Sequence, residues 1–475
     1  MNNGNNFSYA KTLLFSLLMM SAGIYCSSVG AQSFGTGSPQ TLSALPKGDF
    51  RSAVESLPAS GRKLTLQWLQ SIEFTSHDLA YMRVDSQGGV YYADTFASAG
   101  KSAGAKATAG KVSGKDAFKL HSYPGAKYKV FIDFDGGVVS GTAWNSTTGV
   151  DALEAAPYDT DGKPGKFSAA ELSAMKEIWQ QVAEDFAPFK VDVTTEDPGQ
   201  KGGNAGWILV TQSTGGKQPS LPEPKAGGIS YINTFGFSHT PYYSPAFVYS
   251  NNLGSTTAVA GAVSHGMGHL VGLSHDGSAA GKGSQVSWAP IMGLDPEQHV
   301  TQWSNGGSNS QDDIAILTGR MGLRRDDHDD TRYDKGTRLV VDGNGRVNPV
   351  AGDSAQNQGV IEDQDDIDVF VFKAAAGNVD LVVTPAWQAF AGDHQHGGNL
   401  DVHVALFNAN GKQIAEQGPR NSTAANLKAR VPGGRYVLEI KGVANPAVSH
   451  SEYGSIGRYY ITGTVPSAGS KTALR

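Results

Sequence analysis

The pattern of hydrophobic and polar residues predicts a mixed α/β region in the middle of the chain. Residues 128–134 alternate in polarity and end at Asp135-Gly136-Gly137, which is typical of a strand followed by a tight turn. A long helix is predicted after Ser168, which forms a capping box with Glu171 and precedes a helically spaced apolar series. That series ends before Pro188 and consists of Leu172, Met175, Ile178, Trp179, Val182 and Phe186. Further strands are predicted at residues 190–195, 207–211 and 228–232.

The pattern changes to strands alone beyond an acidic segment, residues 324–334, which contains Asp326, Asp327, Asp329 and Asp330. Short alternating runs separated by Gly, Asn and Pro follow, as expected of a β-sandwich. These runs are residues 367–372, 379–383, 401–407, 436–441 and 459–465. We therefore predict two folded regions, residues 116–325 and an independent β-sandwich accessory domain at residues 335–468.

The N-terminal part of the chain predicts export. Lys11, an apolar stretch and the small residues Val29-Gly30-Ala31 indicate a signal peptide at residues 1–31, cleaved before Gln32. Residues 97–115 are almost entirely Ala, Gly, Ser, Thr and Lys, a composition typical of a linker. Residues 32–96 between them have two interpretations of equal weight, a propeptide or a simple N-terminal extension. We expect a secreted or periplasmic bacterial protein without membrane attachment after cleavage.

The composition of the chain restricts its possible partners and its sources of stability. The chain has 475 residues, too many for one core, with 17% charged residues and a net charge of −6, which argues against nucleic acid as a partner. Its one cysteine, Cys26, lies in the predicted signal peptide, so the mature chain contains no disulfide. Bound metal ions are a plausible substitute source of stability. A monomer is expected.

One segment carries candidate metal chemistry. Residues 256–276 read TTAVAGAVSHGMGHLVGLSHD, in which His265 and His269 lie four positions apart and so share one face of a helix. Gly272 is a suitable left-handed residue to end that helix and return His275 to the same ion. Three imidazoles with an open fourth position are typical of a catalytic zinc site.

The segment resembles the metzincin signature H-E-x-x-H-x-x-G-x-x-H, and Asp276 makes it most similar to the reprolysin-like branch. This resemblance implies an α+β fold with an active-site helix. It also implies that residues 288–293 form the Met-turn beneath the zinc, with Met292 as its methionine; ordinary core packing is the alternative interpretation of Met292. Asp276 would support that turn instead of binding zinc, and the helix starting near Ser310 would pack behind the site.

The resemblance also implies a substrate strand and an accessory domain. Gly228, Ile229, Ser230 and Tyr231 would form the edge strand along which an extended polypeptide aligns by β-augmentation. Residues 335–468 resemble the pre-peptidase C-terminal-like β-sandwiches of secreted bacterial peptidases. Candidate calcium ligands there are Asp363, Asp365, Asp366 and Asp368, and a solvated acidic loop is the alternative interpretation.

The chain departs from the signature at one position. Gly266 stands where the family has its general-base glutamate, and glycine has no side chain to accept a proton. Three interpretations follow: a natural pseudoprotease, a deliberately inactivated enzyme, or recruitment of another carboxylate such as Glu184, Glu196 or Glu223. We expect a secreted zinc metalloendopeptidase family member that acts on polypeptides with strongly reduced activity. The alternative is a non-catalytic pseudoprotease that binds zinc and extended polypeptide.

Overall fold

The computed structural model describes most of the chain beyond residue 30. The described residues are 31–97, 116–199, 201–214, 221–277, 286–306, 309–330, 336–349, 356–386, 388, 396–445 and 451–467. The predicted signal peptide and the predicted linker therefore lie outside the described residues, apart from one terminal residue of each. Residues Gln32–Arg475 form one compact unit. Within the described ranges, every helix is too short or too polar to cross a membrane.

The N-terminal segment, residues 32–97, folds into a small region with its own core. Its helices and strands are β1 (Ser33–Phe34), α1 (Asp49–Ser56), α2 (Ala59–Leu69), β2 (Phe74–Thr75), β3 (Met82–Val84) and β4 (Val90–Asp94). Phe50 and Val54 of α1 pack with Leu69 of α2 and with Tyr92 of β4. The segment is therefore a folded part of the compact unit.

The central region contains the predicted mixture of helices and strands. Its elements are β5 (Tyr128–Asp133), β6 (Gly137–Ser140), α3 (Ala143–Thr148), β7 (Ala152–Ala155), α4 (Ala169–Asp185), β8 (Val191–Thr194), β9 (Ala205–Thr211), β10 (Gly228–Tyr231), β11 (Ala246–Tyr249), α5 (Thr256–Val271), β12 (Trp288–Pro290), β13 (Val300–Gln302) and α6 (Asp313–Met321). The capping box before α4 is confirmed, since the backbone N–H of Ser168 donates to Glu171 Oε2 at 2.7 Å and that of Glu171 donates to the Ser168 hydroxyl. Helix α6 begins at Asp313, three residues after the expected start near Ser310, because Asp312 is its N-cap.

A seven-stranded sheet joins the central region to the N-terminal segment. The strand order is β3-β4-β10-β11-β9-β5-β8. Strands β11, β9, β5 and β8 are parallel, whereas β3, β4 and β10 pair antiparallel with their neighbours. Helices α4 and α5 contribute Ile178, Val182, Val263 and Met267 to one core shared with the sheet.

The expected edge position of Gly228–Tyr231 needs correction. Strand β10 is interior, because β4 pairs with its outer side through the register Gly228↔Asp94 to Tyr231↔Tyr91. The N-terminal segment thus adds β4 and then β3 to the sheet. The sequence allowed no such prediction, since strand partners distant along the chain leave no local signal.

The C-terminal region consists of strands in two five-stranded sheets. The strands are β14 (Thr337–Arg338), β15 (Arg346–Val347), β16 (Gln358–Ile361), β17 (Asp368–Ala374), β18 (Gly377–Pro385), β19 (Val402–Asn408), β20 (Gln413–Gln417), β21 (Ala425–Val431), β22 (Gly434–Gly442) and β23 (Gly457–Thr464). One sheet has the order β14-β17-β22-β19-β20, and the other contains β15, β23, β18 and β21, with β16 also on β23. Alternate residues of the two sheets form one core that includes Phe370, Leu381 and Leu438. The prediction of a β-sandwich is thereby confirmed, while the finer assignment of the central region to the metzincin fold stays a prediction.

Candidate metal centre

Helix α5 positions two of the three histidines. It begins at the N-cap Ser255, whose hydroxyl accepts a hydrogen bond from the backbone N–H of Ala258. It ends at Gly272, which has φ +111° as predicted, so that the chain reverses immediately after the helix. His265 and His269 are fully buried, and the reversal returns His275 beside them. The three imidazoles therefore meet at one point.

Asp94, at the end of β4, is the fourth member of this group. His265 Nε2 and His269 Nε2 lie 3.5 and 3.3 Å from Asp94 Oδ2, and His275 Nε2 lies 3.1 Å from Asp94 Oδ1. His265 Nε2 and His269 Nε2 are 3.0 Å apart. Tetrahedral zinc with ligands at about 2.0 Å would separate its ligand atoms by about 3.3 Å. The four side chains thus have the spacing of a closed metal site.

The tautomers of two histidines test whether a cation fits this site. His265 Nδ1 donates to the carbonyl of Ile291 at 2.9 Å, and His269 Nδ1 donates to that of Leu273 at 2.7 Å. Carbonyl oxygens can only accept, so the proton of each neutral ring lies on Nδ1 and each Nε2 carries a lone pair. Two facing lone pairs at 3.0 Å repel each other unless a cation lies between them. The arrangement therefore suits a metal ion.

The pKa shifts of His269 and Asp94 agree with this donor set, whereas burial of His275 is outweighed by the charge of Asp94, which raises the pKa of that histidine. Burial lowers the pKa of His269 to about 4 against the opposing charge of Asp94, so its ring is neutral at physiological pH. Burial opposes ionisation of Asp94, but the surrounding histidines outweigh it and hold its pKa well below the usual value. Neutral imidazole and ionised carboxylate are the forms that bind metal.

The segment predicted as a Met-turn lies directly beneath the histidines. Ile291 supplies the carbonyl that orients His265, and Met292 is fully buried. A Cβ atom at Gly268 would overlap Met292 Sδ, which explains a glycine in the helix interior. Gly261 has a similar cause, since a Cβ there would lie 2.5 Å from Pro296. Because they have no side chain, both glycines allow Met292 and Pro296 to pack closely against α5.

Asp276 lies next to this turn and outside the metal group. Its backbone N–H donates to the carbonyl of Met292 at 2.9 Å, and its carboxylate accepts from the hydroxyl of Ser304. Ser304 is in turn held by Asp313, the first residue of α6. The placement of Asp276 agrees with a supporting role for this residue, which stays a prediction.

Gly266 differs from the other helix glycines in having free space. Among the described residues, the nearest atom to a Cβ built there is Ser230 Oγ at 3.0 Å. That hydroxyl can rotate, and position 266 faces β10, the strand proposed to align substrate. The contact of a Cβ at Gly266 is thus with a rotatable hydroxyl, whereas a Cβ at Gly268 or Gly261 would meet the side chain of Met292 or Pro296 at 2.5 Å or less.

The three carboxylates considered as replacement bases are engaged elsewhere. Glu184 accepts from the backbone N–H of Arg458 in the sandwich at 2.5 Å, and burial raises the pKa of Glu184 to about 7. Glu196 pairs with His121 at 2.9 Å. Glu223 accepts from the hydroxyl of Tyr91 at 3.3 Å. The carboxylate that reaches the histidines is Asp94, which sequence reasoning missed because its segment was treated as separate from the site.

The predicted calcium ligands are rearranged in the structure. Asp366 groups with Glu362 and with Asp326 from the acidic boundary, whereas Asp368 groups with Asp327 and His328. Asp363 and Asp365 belong to neither group. Glu362 Oε2 is buried and has no hydrogen-bond partner among the described residues. Asp368 Oδ1 of the second group is also buried without a partner among the described residues, so either group could hold a cation. The acidic boundary contributes to both groups, so it belongs to the sandwich and does not precede it.

This acidic group predicts a pH dependence that calcium should reverse. Burial, then Asp327 and Asp366, raises the pKa of Glu362 to about 10, and burial raises that of Asp366 to about 7. The unfolded chain loses these protons near pH 4 while the folded chain keeps them, so calcium-free stability should fall as pH rises from about 4 through 7. Thermal unfolding at pH 5 and pH 8 measures this. Glu362→Gln should fall less steeply with pH, and it should lose stabilisation by calcium at pH 8. An unchanged response to calcium would contradict the assignment.

Comparison with known proteins adds little to these observations. No family model matches the chain, and no curated protein matches it. Among solved structures, the pre-peptidase C-terminal domain of a collagenase from Bacillus anthracis matches at 16% identity, over 28% of this chain and 97% of that chain, with a TM-score of 0.18. A TM-score this low supports no inference about fold or function. The chain is therefore described by its own features, a mixed α/β region with a buried Asp-His-His-His group that could hold a metal, and a β-sandwich.

Proposed function

We propose that this chain is a secreted zinc-binding protein of the metalloendopeptidase type whose hydrolytic activity is strongly reduced. The observation that carries the proposal is the convergence of three buried imidazoles beside β10, with two of them locked as lone-pair donors by carbonyl acceptors. The predicted signal peptide supports export. The resemblance of residues 265–276 to the metzincin signature supports polypeptides as the substrate class.

The side chains around the site determine which steps of peptide hydrolysis it can support. When bound, zinc would act as a Lewis acid on a peptide carbonyl and activate water. His265, His269 and His275 would hold it, and β10 would offer its backbone to an extended peptide only if β4 left its pairing with that strand. Gly266 provides no proton acceptor at the position that faces β10. General acid/base assistance, typically worth ~10²–10⁴ in rate, is therefore missing.

A non-catalytic binding protein is the second candidate. It is favoured by Gly266, because the one close contact of a Cβ there is the hydroxyl of Ser230, so no neighbouring backbone requires a glycine at this position. Loss of the base thus removes catalysis and leaves the packing of the site intact. In that case the zinc site would organise a peptide-binding surface.

Metal analysis tests zinc binding by the three histidines, on which both candidate functions depend. The purified full chain should hold about one zinc at the three-histidine group, and His269→Ala should bind zinc much more weakly, because it lacks an imidazole whose lone pair the carbonyl of Leu273 orients toward the site. His403→Ala, at a half-buried histidine of the sandwich, is the matched control and should keep its zinc. Equal zinc in the His269→Ala variant and the unmodified protein would refute the zinc assignment.

A further inference from the structure

A loop of the sandwich, residues 396–400, extends the small sheet that contains the Met-turn segment. Strands β12 and β13 of that sheet are parallel, and Val300 of β13 forms a further parallel bridge with Gly398 of the sandwich. The backbone N–H of Thr301 donates to the carbonyl of Gly398 at 2.8 Å, and the N–H of Gly398 donates to the carbonyl of His299 at 3.1 Å. The sandwich is thus hydrogen-bonded to the strand next to the segment that lies beneath the histidines.

Gln302, the last residue of β13, forms hydrogen bonds with both neighbours of its strand. Its side-chain Nε2 donates to the backbone carbonyl of Asn399 in the sandwich loop. Its Oε1 accepts from the indole N–H of Trp288 at 2.8 Å, and its backbone carbonyl accepts from the N–H of Ile291 at 2.8 Å. Because Gln302 is only 1% exposed, water cannot replace these partners. Gln302 therefore joins the sandwich to the Met-turn segment.

One more hydrogen bond connects this contact to the metal centre. The carbonyl of Ile291 accepts from His265 Nδ1 at 2.9 Å, and a partner of this kind fixes the tautomer and the orientation of a metal-binding imidazole. Gln302 holds the N–H of the same isoleucine, so the position of the Ile291 backbone depends on Gln302. Three successive hydrogen bonds therefore lead from Asn399 of the sandwich to the ring of His265.

A second loop of the sandwich packs against the same end of β13. A Cβ atom at Gly454 would overlap the carbonyl oxygen of Trp303 and would lie 2.7 Å from the Cβ of Gln302. Gly454 does not have a positive φ, so the close approach of the two backbones explains this glycine. Next to it, the hydroxyl of Tyr453 accepts from the backbone N–H of Ile314 in α6 at 2.9 Å. The sandwich is thus held against β13 by two separate loops.

We propose that Gln302 is a positioning residue of the metal centre, through which the docked sandwich holds the backbone of Ile291 and so the ring of His265. The inference rests on the proposed function, because it concerns the same metal ion. It gives the sandwich a part in metal binding that a separate accessory domain would not have. Loosening residues 396–400 or 453–454 from β13 should therefore weaken zinc binding, since the acceptor that orients His265 would lose its fixed position.

Variants of the full chain on both sides of this contact test the inference. Gln302→Met removes both side-chain hydrogen bonds at nearly the same length, and Gly454→Ala places a methyl group against Gln302 from the sandwich. Each should weaken zinc binding by about tenfold, measured by competition with a chelating dye, and each should change the absorption spectrum of cobalt(II) bound in place of zinc. Gly433→Ala is the matched control, because a Cβ at this exposed glycine of the sandwich has no contact shorter than 3.6 Å. It should keep the affinity and the spectrum of the unmodified protein.

The double variant tests whether both changes act through one path. Gln302→Met combined with Gly454→Ala should lose little more zinc affinity than the weaker-binding single variant, because residues that act through the same contact are not additive. Fully additive losses would show that Gly454 acts by another route, and would overturn the proposed link between the sandwich and His265.

The outcomes separate this inference from the proposed function. An unmodified protein that takes up no zinc or cobalt at the histidines would refute the proposed function. If it binds metal and both single variants keep its affinity and its cobalt spectrum, Gln302 does not position His265 and the inference is overturned. A loss of thermal stability with an unchanged spectrum would likewise overturn it, because the contact would then be structural alone. The two variants alter opposite sides of the contact, so either one decides the test if the other fails to fold.

Discussion

Gly266→Glu, introduced into the Asp94→Ala background, should raise zinc-dependent peptidase activity by a factor on the order of 10² or more over Asp94→Ala alone. Glutamate restores a proton acceptor at the helix position that faces β10, where the nearest atom to a new Cβ is a rotatable hydroxyl. Opening the cleft first is necessary, because Asp94 otherwise occupies the point at which the histidines meet. The measurement is cleavage of fluorogenic peptides with zinc present at a fixed free concentration.

Gly266→Gln in the same background is the matched control. Glutamine has the size and helix propensity of glutamate but no basic carboxylate, so it should leave activity low. Zinc content should be equal in all variants, and stability should rise by several tenths of a kcal/mol with either residue. Equal activity of the Gln and Glu variants would show that another group acts as base. If neither variant cleaves, the site has lost more than one residue and the binding function is the better account.

Removal of zinc should destabilise the protein by about 3–4 kcal/mol when free zinc was about 100 to 1,000 times its Kd. Without the metal, two lone pairs face each other at 3.0 Å in a fully buried site, beside an ionised Asp94. Thermal unfolding with and without a zinc chelator measures the difference. His269→Ala should be close to the chelated protein in stability and should not respond to the chelator. A chelator effect of equal size in that variant would place the stabilising metal elsewhere, with the acidic group of Glu362 the first alternative.

Local features of α4 and of the histidine-bearing helix α5 could be predicted from the sequence because they depend on neighbouring residues. The capping box of Ser168 and Glu171 and the left-handed Gly272 both follow from hydrogen bonds or backbone geometry within a few positions. The spacing of His265 and His269 is a property of the helix itself. Such features need no knowledge of the tertiary fold.

The sequence did not predict features that depend on contacts between segments far apart along the chain. Asp94 ends β4, and its alternation with Tyr92 could have marked both as facing one side, but no local pattern places that side on the histidines. The grouping of Asp326 with Glu362 likewise depends on how the acidic boundary folds back on the sandwich. The steric cause of Gly268 became visible only with Met292 in place. Position within the sheet is fixed by tertiary pairing, which sequence periodicity does not encode.

The addition of β4 to the sheet also bears on solubility and folding. A chain that lacked residues 32–97 would present β10 as an open edge, with unpaired backbone N–H and C=O groups opposite the former positions of Tyr91 to Asp94. Such an edge is a template for pairing between copies of the chain, and so a hazard for aggregation during synthesis. Because the N-terminal segment leaves the ribosome first, it is available to cover β10 as soon as that strand forms. Pairing of β4 with β10 is thus expected to protect the region that follows the N-terminal segment from association through this edge.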